Sequence, residues 1–203
     1  ILTLFAGLLI QILANYINDL YDFKKGADDK HRVGPERMLQ KGYLNEKDIL
    51  LGVYVIIFIA LLIGSYLAVI GGIIIVIIGL SSFLFAYLYT ATKYSIAYNG
   101  GGEFFVFIYF GIIASMVTYF LQTLRWDYNA MLVGIIYGCL NMGILIINNL
   151  RDFDTDIACN KNTLVVIYGK NFGKIEFVLS NIISFIGLYY LSISLGNIFI
   201  FLV

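Results

Sequence analysis

Long apolar runs alternate with polar connections along this chain, and the pattern predicts its elements. A bilayer core of about 30 Å requires roughly 20 apolar residues per helix. Five windows are long enough, at residues 49–70, 72–91, 103–122, 130–149 and 175–195, and residues 1–17 form most of a sixth. Each must be a helix, because a strand exposed to lipid leaves backbone N–H and C=O groups unpaired.

Composition places this helical array in a membrane. Hydrophobic residues make up 61% of the 203 residues, charged residues only 13%, and the mean hydropathy is +0.89. These values are far from those of a soluble domain. The net charge of zero, with no basic stripe, excludes nucleic acid as a partner. We therefore predict an all-α, multi-span integral membrane bundle of about six complete or nearly complete spans.

The chain ends give a further expectation. It begins within apolar sequence, and its last residues, "GNIFIFLV", look like another span cut short. We expect residues 1–203 to form a single domain that is incomplete at both ends.

Charge predicts which side of the membrane each connection occupies. Long connections (residues 23–48, 92–102 and 150–174) alternate with short ones, and every Lys and Arg except Arg125 lies on the long-connection side. The positive-inside rule makes that side cytoplasmic. The acids share it, with only Asp127 opposite. Because the rule requires basic residues but no acids, the acids indicate a polar chemical site at this face.

The first acidic cluster ends the first apolar run, in "NYINDLYDFKKGADD". Asn15 and Asp19 are four residues apart, and Asp22 follows three later, so the three can project from one helix face. Asn15, Asn18 and Asp19 also precede the expected water boundary, where burial without partners would be costly.

A second cluster repeats this arrangement, in "NNLRDFDTDIACNKNTL". Asn148 and Asp152 are again four residues apart, Asp156 follows after four more, and the cluster again ends an apolar span on the same face. Independent helix ends would seldom share such a pattern. The pair therefore predicts one shared functional site.

Carboxylates with amide oxygens suit Mg²⁺, which prefers oxygen ligands and is usually completed by substrate phosphates. A diphosphate would also need cationic partners. The same face offers Lys24, Lys25, Arg32, Arg37, Lys93, Arg151 and Lys161. The bilayer then implies an apolar tail, so we expect a molecule such as a polyprenyl diphosphate, with its head at this face and its tail between the helices.

The two clusters resemble the motifs of the UbiA superfamily of intramembrane prenyltransferases. "NDLYDFKKGAD" fits the form NDxxDxxxxxD of its first motif, "NNLRDFDTD" fits the second, and "YTATK" supplies a YxxxK element with Tyr89 and Lys93. The phrases "RVGPERMLQKG" and "GGEFFVFIYFG" resemble the branch that prenylates 1,4-dihydroxy-2-naphthoate. That family has nine transmembrane helices, so the first helix, most of the eighth and the ninth are expected to be absent.

The resemblance implies roles for individual residues. Mg²⁺ would be bound by Asp19, Asp22, Asp152 and Asp156, assisted by Asn15 and Asn18. Lys93, Arg151 and Lys161 would take up the charge of the departing diphosphate, beside Tyr89 and Lys24. Arg32 or Arg37 would bind the carboxylate of the acceptor, a phosphate or a lipid headgroup. The implied reaction is prenyl transfer to dihydroxynaphthoate with loss of CO₂, giving demethylmenaquinone in a bacterial inner membrane.

Three alternatives stay open. The acceptor can be 4-hydroxybenzoate, homogentisate, a porphyrin-type ring or a lipid. A transporter can also bind cations with intramembrane carboxylates, although these acids cluster at one face. The chain can also be a non-catalytic remnant. It departs from the family pattern at Asn160 and Met38, where Gly is usual, and no Pro follows Tyr89.

Glycines have a structural interpretation. Gly71 and Gly72 predict a tight helical hairpin, and the spacing of Gly134 and Gly138 predicts close helix packing.

Overall fold

The computed structural model describes residues 1–27 and 34–198. Within these ranges it contains six segments that are long and apolar enough to span a membrane. They are α1 (Leu2–Lys24), α2 (Glu46–Gly71), α3 (Ile73–Thr90), a fourth span over Gly102–Thr123, α6 (Tyr128–Arg151) and α9 (Lys170–Ser194). The fourth span consists of α4 (Gly102–Val106), a π-helical segment (Phe107–Ile113) and α5 (Ala114–Thr123).

These spans confirm the six predicted windows, with two differences in extent. Helix α1 continues to Lys24, well past the apolar window, because Asp19 and Asp22 are buried inside the protein and do not mark its boundary with water. Helix α9 begins at Lys170, earlier than predicted, directly after Gly169 at φ +90°. The truncated span predicted near the C-terminus falls largely on residues 199–203, outside the described residues.

The long connections lie at one end of the bundle and the short ones at the other, as the charge pattern predicts. One end of the bundle, which we call the polar end, contains the C-terminal ends of α1, α3 and α6 and the N-terminal ends of α2, α4 and α9. The connections at this end contain a 3₁₀ turn (Ile96–Tyr98) and the short helices α7 (Phe153–Ala158) and α8 (Leu164–Tyr168). The opposite end carries the two short connections, at residues 72 and 124–127. The hairpin prediction is confirmed, since Gly72 separates α2 from α3 with φ +71°.

The close packing predicted for Gly134 and Gly138 is confirmed as well. Both glycines of α6 face the π-helical segment. A Cβ added at Gly134 would lie 2.8 Å from the Cα of Ile112, and one at Gly138 would lie 2.8 Å from the carbonyl oxygen of Phe107. Only Gly permits backbones this close. Helix α6 is thereby held between the fourth span and α9.

The bundle presents apolar side chains outwards. Leu62, Val69 and Ile73, for example, are each more than half exposed. A surface of this kind is stable against lipid tails but not against water. Together with the six spans, it identifies the chain as an integral membrane protein.

Candidate active site

The last turns of α1 bury two acids. Asp19 is 4% exposed and Asp22 is 7% exposed. Asp19 Oδ2 accepts a hydrogen bond from the backbone N–H of Met38 at 3.2 Å. Asp19 Oδ1 is buried and has no hydrogen-bond partner among the described residues. A buried carboxylate oxygen without a partner is costly, so this oxygen is a candidate cation ligand.

Asp22 and Asn18 each accept a hydrogen bond from a hydroxyl group that lies in α3 or in the connection after it. The Tyr98 hydroxyl donates to Asp22 Oδ1 at 2.9 Å. The Thr90 hydroxyl donates to Asn18 Oδ1 at 2.8 Å. Asn15, one turn before Asp19, is exposed. The predicted first cluster is therefore divided, with Asp19, Asp22 and Asn18 packed in the protein and Asn15 at its surface.

Asp156, in α7, is the buried acid of the second motif. One of its oxygens lies 3.3 Å from the ammonium group of Lys161. The other, Oδ2, is buried and has no hydrogen-bond partner in the described part of the chain. Burial raises the pKa of Asp156 to about 6; Lys161 opposes this rise, and the charges of Asp152 and Asp22 add to it. Since Asp22 acts on Asp156, the two motifs are neighbours in space.

Asp152 lies where α6 ends, and its carboxylate is held by the preceding residue. Arg151 donates from Nε to Oδ1 and from Nη2 to Oδ2, each at 2.7 Å. This bidentate pair fixes the orientation of the carboxylate. Asp152 is nevertheless partly exposed, so it can also bind a cation from the side away from Arg151.

The donor set fits a hard divalent cation that is completed by other ligands. Each of the two motifs contains an acid, Asp19 or Asp156, with a buried oxygen that has no hydrogen-bond partner within residues 1–27 and 34–198. No three acidic, His or Cys side chains in the described ranges converge closely enough to form a complete site alone. Mg²⁺ is ordinarily bound by one or two carboxylates, water and substrate phosphates. The residues therefore suit Mg²⁺ bound together with a phosphate-containing ligand.

A polar cleft of about 390 Å³ adjoins these acids. It is lined by Lys25, Lys93, Tyr98, Asn99, Cys159, Asn160 and Asn162. The ammonium group of Lys25 donates to the backbone oxygens of Thr90 (2.5 Å) and Thr92 (2.9 Å) and to the Ser95 hydroxyl (2.9 Å). Burial lowers the pKa of Lys25, and the charge of nearby Asp22 opposes this shift. Lys93 is exposed at the cleft.

The other predicted cationic residues are distributed more widely. Lys24 points away from the cleft and pairs with Glu46 at 2.8 Å, with both side chains close to half exposed. Arg37 is partly buried in the connection that also contains Met38, the partner of Asp19. Arg32 lies outside the described residues. Lys25, Lys93, Arg151 and Lys161 are the predicted cations that the structure brings to the acids or their cleft.

A second buried polar pair lies beside the site. Glu103, at the start of α4, is 3% exposed and accepts a hydrogen bond from Asn149 of α6 at 2.8 Å. Lys161 and Glu176 are close enough to act on Glu103 electrostatically. Tyr89 also lies here, because a Cβ added at Gly102 would be 3.2 Å from its hydroxyl oxygen. The pair Glu103–Asn149 ties the fourth span to the helix that carries the second motif.

The motifs alone did not identify Tyr98, Glu103 and Asn149. A signal existed for Glu103, which is an acid at the start of an apolar span, and for Asn149, which adjoins Asn148. Tyr98 had no comparable signal. A larger cavity of about 750 Å³ lies towards the opposite end between α5, α6 and α9, and it contains none of the motif acids. The acids thus locate the candidate site at the polar end.

Fold and site together define a polytopic membrane protein with paired aspartate motifs at one end of a helical bundle. The family model described as the UbiA prenyltransferase family matches residues 1–203. The chain belongs to this family, which confirms the resemblance of its motifs.

Several curated relatives are similar over most of this chain. The 1,4-dihydroxy-2-naphthoate octaprenyltransferase of Haemophilus influenzae is 32% identical over 97% of the chain and 65% of its own length. The protein of the same name from Bacillus subtilis is 32% identical over 82% of the chain and 53% of its own length. UbiA prenyltransferase domain-containing protein 1 of Dictyostelium discoideum is 26% identical over 92% of the chain and 57% of its own length. The chain thus spans between half and two thirds of each of these relatives. No solved structure matches it significantly.

Proposed function

We propose that the protein transfers a polyprenyl group from polyprenyl diphosphate to 1,4-dihydroxy-2-naphthoate, in a reaction that depends on Mg²⁺. The observation that carries this proposal is the meeting of two aspartate motifs at the polar end, where buried oxygens of Asp19 and Asp156 have no hydrogen-bond partners among the residues that the structure describes. Membership of a prenyltransferase family supports the reaction class.

The metal role falls to Asp19, Asp22, Asp152 and Asp156, with Asn18 nearby and Asn15 at the surface. Bound Mg²⁺ would offset the charge that develops on the diphosphate as the allylic C–O bond breaks. Lys161 contributes a positive charge at Asp156, 3.3 Å away. This ammonium can then turn to the departing diphosphate without a large movement.

The diphosphate head would bind at the polar cleft. Lys25 and Lys93 line it, and Arg151 lies at the neighbouring end of α6. These cations share the charge of the leaving group. The apolar bundle accepts the tail and excludes water, which would otherwise capture the allylic cation.

The proposed acceptor rests on the names of the relatives. Proteins 32% identical to this chain are named for 1,4-dihydroxy-2-naphthoate. Attack by the ring carbon that bears the carboxylate leads to loss of CO₂ and to demethylmenaquinone. Arg37, in the connection beside Asp19, is the described residue that we assign to the carboxylate. We further propose that the protein lies in a bacterial inner membrane with the polar end in the cytoplasm, as the distribution of Lys and Arg supports.

The test uses the full-length protein in detergent with Mg²⁺, a polyprenyl diphosphate and dihydroxynaphthoate. We expect release of diphosphate and CO₂, and EDTA should abolish both. Asp156→Asn should lower the rate by more than about 100-fold, a larger loss than removal of a partner behind a metal ligand.

Asp154→Asn is the matched control. Asp154 lies in the same short helix, but its side chain is 84% exposed and makes only a 3.4 Å pair with Lys170. Its replacement should change the rate by no more than about twofold, as is usual at the surface. If the wild-type protein releases neither product, or if Asp156→Asn is as active as Asp154→Asn, the proposal is wrong. Turnover with 4-hydroxybenzoate but not with dihydroxynaphthoate would reassign the acceptor.

A further inference from the structure

Tyr98 belongs to neither aspartate motif, yet it contacts the first motif and the loop that follows the second. It closes the 3₁₀ turn Ile96–Tyr98 in the connection between α3 and α4. Its side chain is 7% exposed, and its hydroxyl donates to Asp22 Oδ1 at 2.9 Å. Asp22 is itself 7% exposed, so this hydrogen bond forms where water cannot replace it.

The backbone of Tyr98 reaches the second motif. Its carbonyl oxygen accepts a hydrogen bond from the N–H of Asn162 at 3.2 Å. Asn162 follows Lys161, the residue that pairs with Asp156. One residue therefore joins the end of α1 to the loop that follows α7.

Two cations lie close to the ring of Tyr98. The ammonium group of Lys25 is 4.1 Å from the ring centroid, and that of Lys161 is 5.8 Å away. An ammonium group over an aromatic face is attracted by the ring quadrupole, more strongly where water is excluded. The ring of Tyr98 thus attracts a positive charge from the end of α1, on Lys25, and another from the loop that follows α7, on Lys161.

The turn that carries Tyr98 is itself fixed. Lys25 donates to Thr90, Thr92 and Ser95, which hold the chain from the end of α3 to the start of the turn. Ser95 is completely buried. The hydroxyl of Tyr98 is consequently held in place by the fold before any ligand binds.

We propose that Tyr98 is a positioning residue, which orients the Asp22 carboxylate and sets the distance between the two motifs for binding of a divalent cation with diphosphate. The inference rests on the proposed function. A phenol suits this role because it donates a hydrogen bond without adding positive charge. The Tyr98 hydroxyl therefore orients the carboxylate without bringing a further cation beside it, which Lys or Arg in its place would do.

The test is Tyr98→Phe in the full-length protein, which removes one oxygen and keeps the ring. Binding of Mn²⁺ in the presence of inorganic diphosphate, followed by electron paramagnetic resonance, reports on the site without turnover. We expect the Mn²⁺ affinity to fall about 10-fold to 100-fold, the usual loss when the partner of a metal ligand is removed. The thermal unfolding midpoint should fall by only about a few degrees, because a single hydrogen bond to a buried carboxylate is lost.

Tyr94→Phe is the matched control, since Tyr94 lies in the same connection and is 81% exposed. Its Mn²⁺ affinity should equal that of the wild type. In an Asp22→Asn background, Tyr98→Phe should cause little additional loss, because its effect passes through Asp22.

Two results would overturn the inference while leaving the proposed function intact. One is a Tyr98→Phe protein that binds Mn²⁺ as the wild type does. The other is an equal loss on Tyr98→Phe with and without Asp22→Asn, which would mean that Tyr98 acts on the fold in general. A wild-type protein that fails to bind Mn²⁺ with diphosphate would overturn the proposed function itself, and this inference with it.

Discussion

Buried carboxylates dominate the chemistry of individual residues in this bundle. Asp22 and Glu103 each accept a hydrogen bond from another side chain, whereas Asp19 and Asp156 each have one buried oxygen without a partner in the described part of the chain. Folding alone gains nothing from those two oxygens, because burying them costs free energy. A cation bound to them would offset that cost.

A second residue-scale feature is the left-handed backbone at Asn160. This residue follows α7 with φ +57°, and Asn adopts such a conformation more easily than other non-Gly residues. The position is where the resemblance leads one to expect Gly. The departure from the family pattern therefore preserves the loop conformation.

This conformation gives a prediction for stability. Asn160→Gly should change the free energy of unfolding little, whereas Asn160→Val should lower it by about 1–2 kcal/mol, because a β-branched side chain is strained there. Unfolding of the detergent-solubilised protein by denaturant measures both changes. Asn162→Val is the control, since Asn162 lies outside the left-handed region. Equal losses for the two Val variants would contradict the explanation.

The sequence allowed some of the site to be predicted at this scale. Asp19 stood out because charged residues rarely precede the water boundary of an apolar helix, and Asp152 stood out because its cluster repeats the spacing of the first. Tyr98 could not be predicted in the same way. Its hydroxyl reaches Asp22 only because Lys25 fixes the preceding loop, and contacts made by tertiary packing leave no periodic pattern in the sequence.

At the scale of elements, α6 organises the bundle. On one side, its glycines allow the backbone of the π-helical segment to approach closely. On the other side, the hydroxyl of Ser184 in α9 donates a hydrogen bond to the carbonyl oxygen of Ile136 at 3.5 Å. Its last turn carries Asn149 and ends at Arg151, beside Asp152. Displacement of this helix would therefore move the second motif relative to the first.

Gly134→Ala should test this packing. The new Cβ would lie 2.8 Å from Ile112 Cα and 3.1 Å from the oxygen of Gly111, so backbone must move. We expect a loss of about 1–3 kcal/mol in the free energy of unfolding, the usual cost of overpacking. Gly64→Ala in α2 is the matched control, with nothing within 4 Å of its Cβ. It should be neutral or stabilising, since Ala favours helix. A Gly134→Ala protein as stable as Gly64→Ala would contradict close packing.

The elements differed in how well the sequence predicted them. Six apolar windows identified the six spans, because burial in lipid leaves the backbone few choices. The π-helical segment within the fourth span and the short helices α7 and α8 were not predicted. Their form depends on local contacts, such as the close approach of Gly111 to α6, which hydropathy does not encode.

At the scale of the whole molecule, the two ends of the bundle differ in the number of charged residues and in the length of their connections. The polar end carries the long connections, the motif acids and the polar cleft. The opposite end has the short connections, with Arg125 as the basic residue and Asp127 capping α6. An asymmetric distribution of Lys and Arg orients a membrane protein with its positive side in the cytoplasm. The proposed site would then face the cytoplasm.

This orientation predicts which connections a membrane-impermeant reagent can reach. Tyr94→Cys and Tyr128→Cys form a matched pair, because these tyrosines are 81% and 64% exposed and lie at opposite ends of the bundle. Both variants need a background with Cys139 and Cys159 replaced by Ser, since these are the described free cysteines. With an impermeant maleimide on intact cells, Tyr128→Cys should be labelled and Tyr94→Cys only after permeabilisation. Labelling in the reverse order would place the site outside the cytoplasm, and equal labelling of both would mean that the insertion is not uniform. Because the basic residues lie almost entirely on one side of six spans, the charge pattern strongly favours the first result.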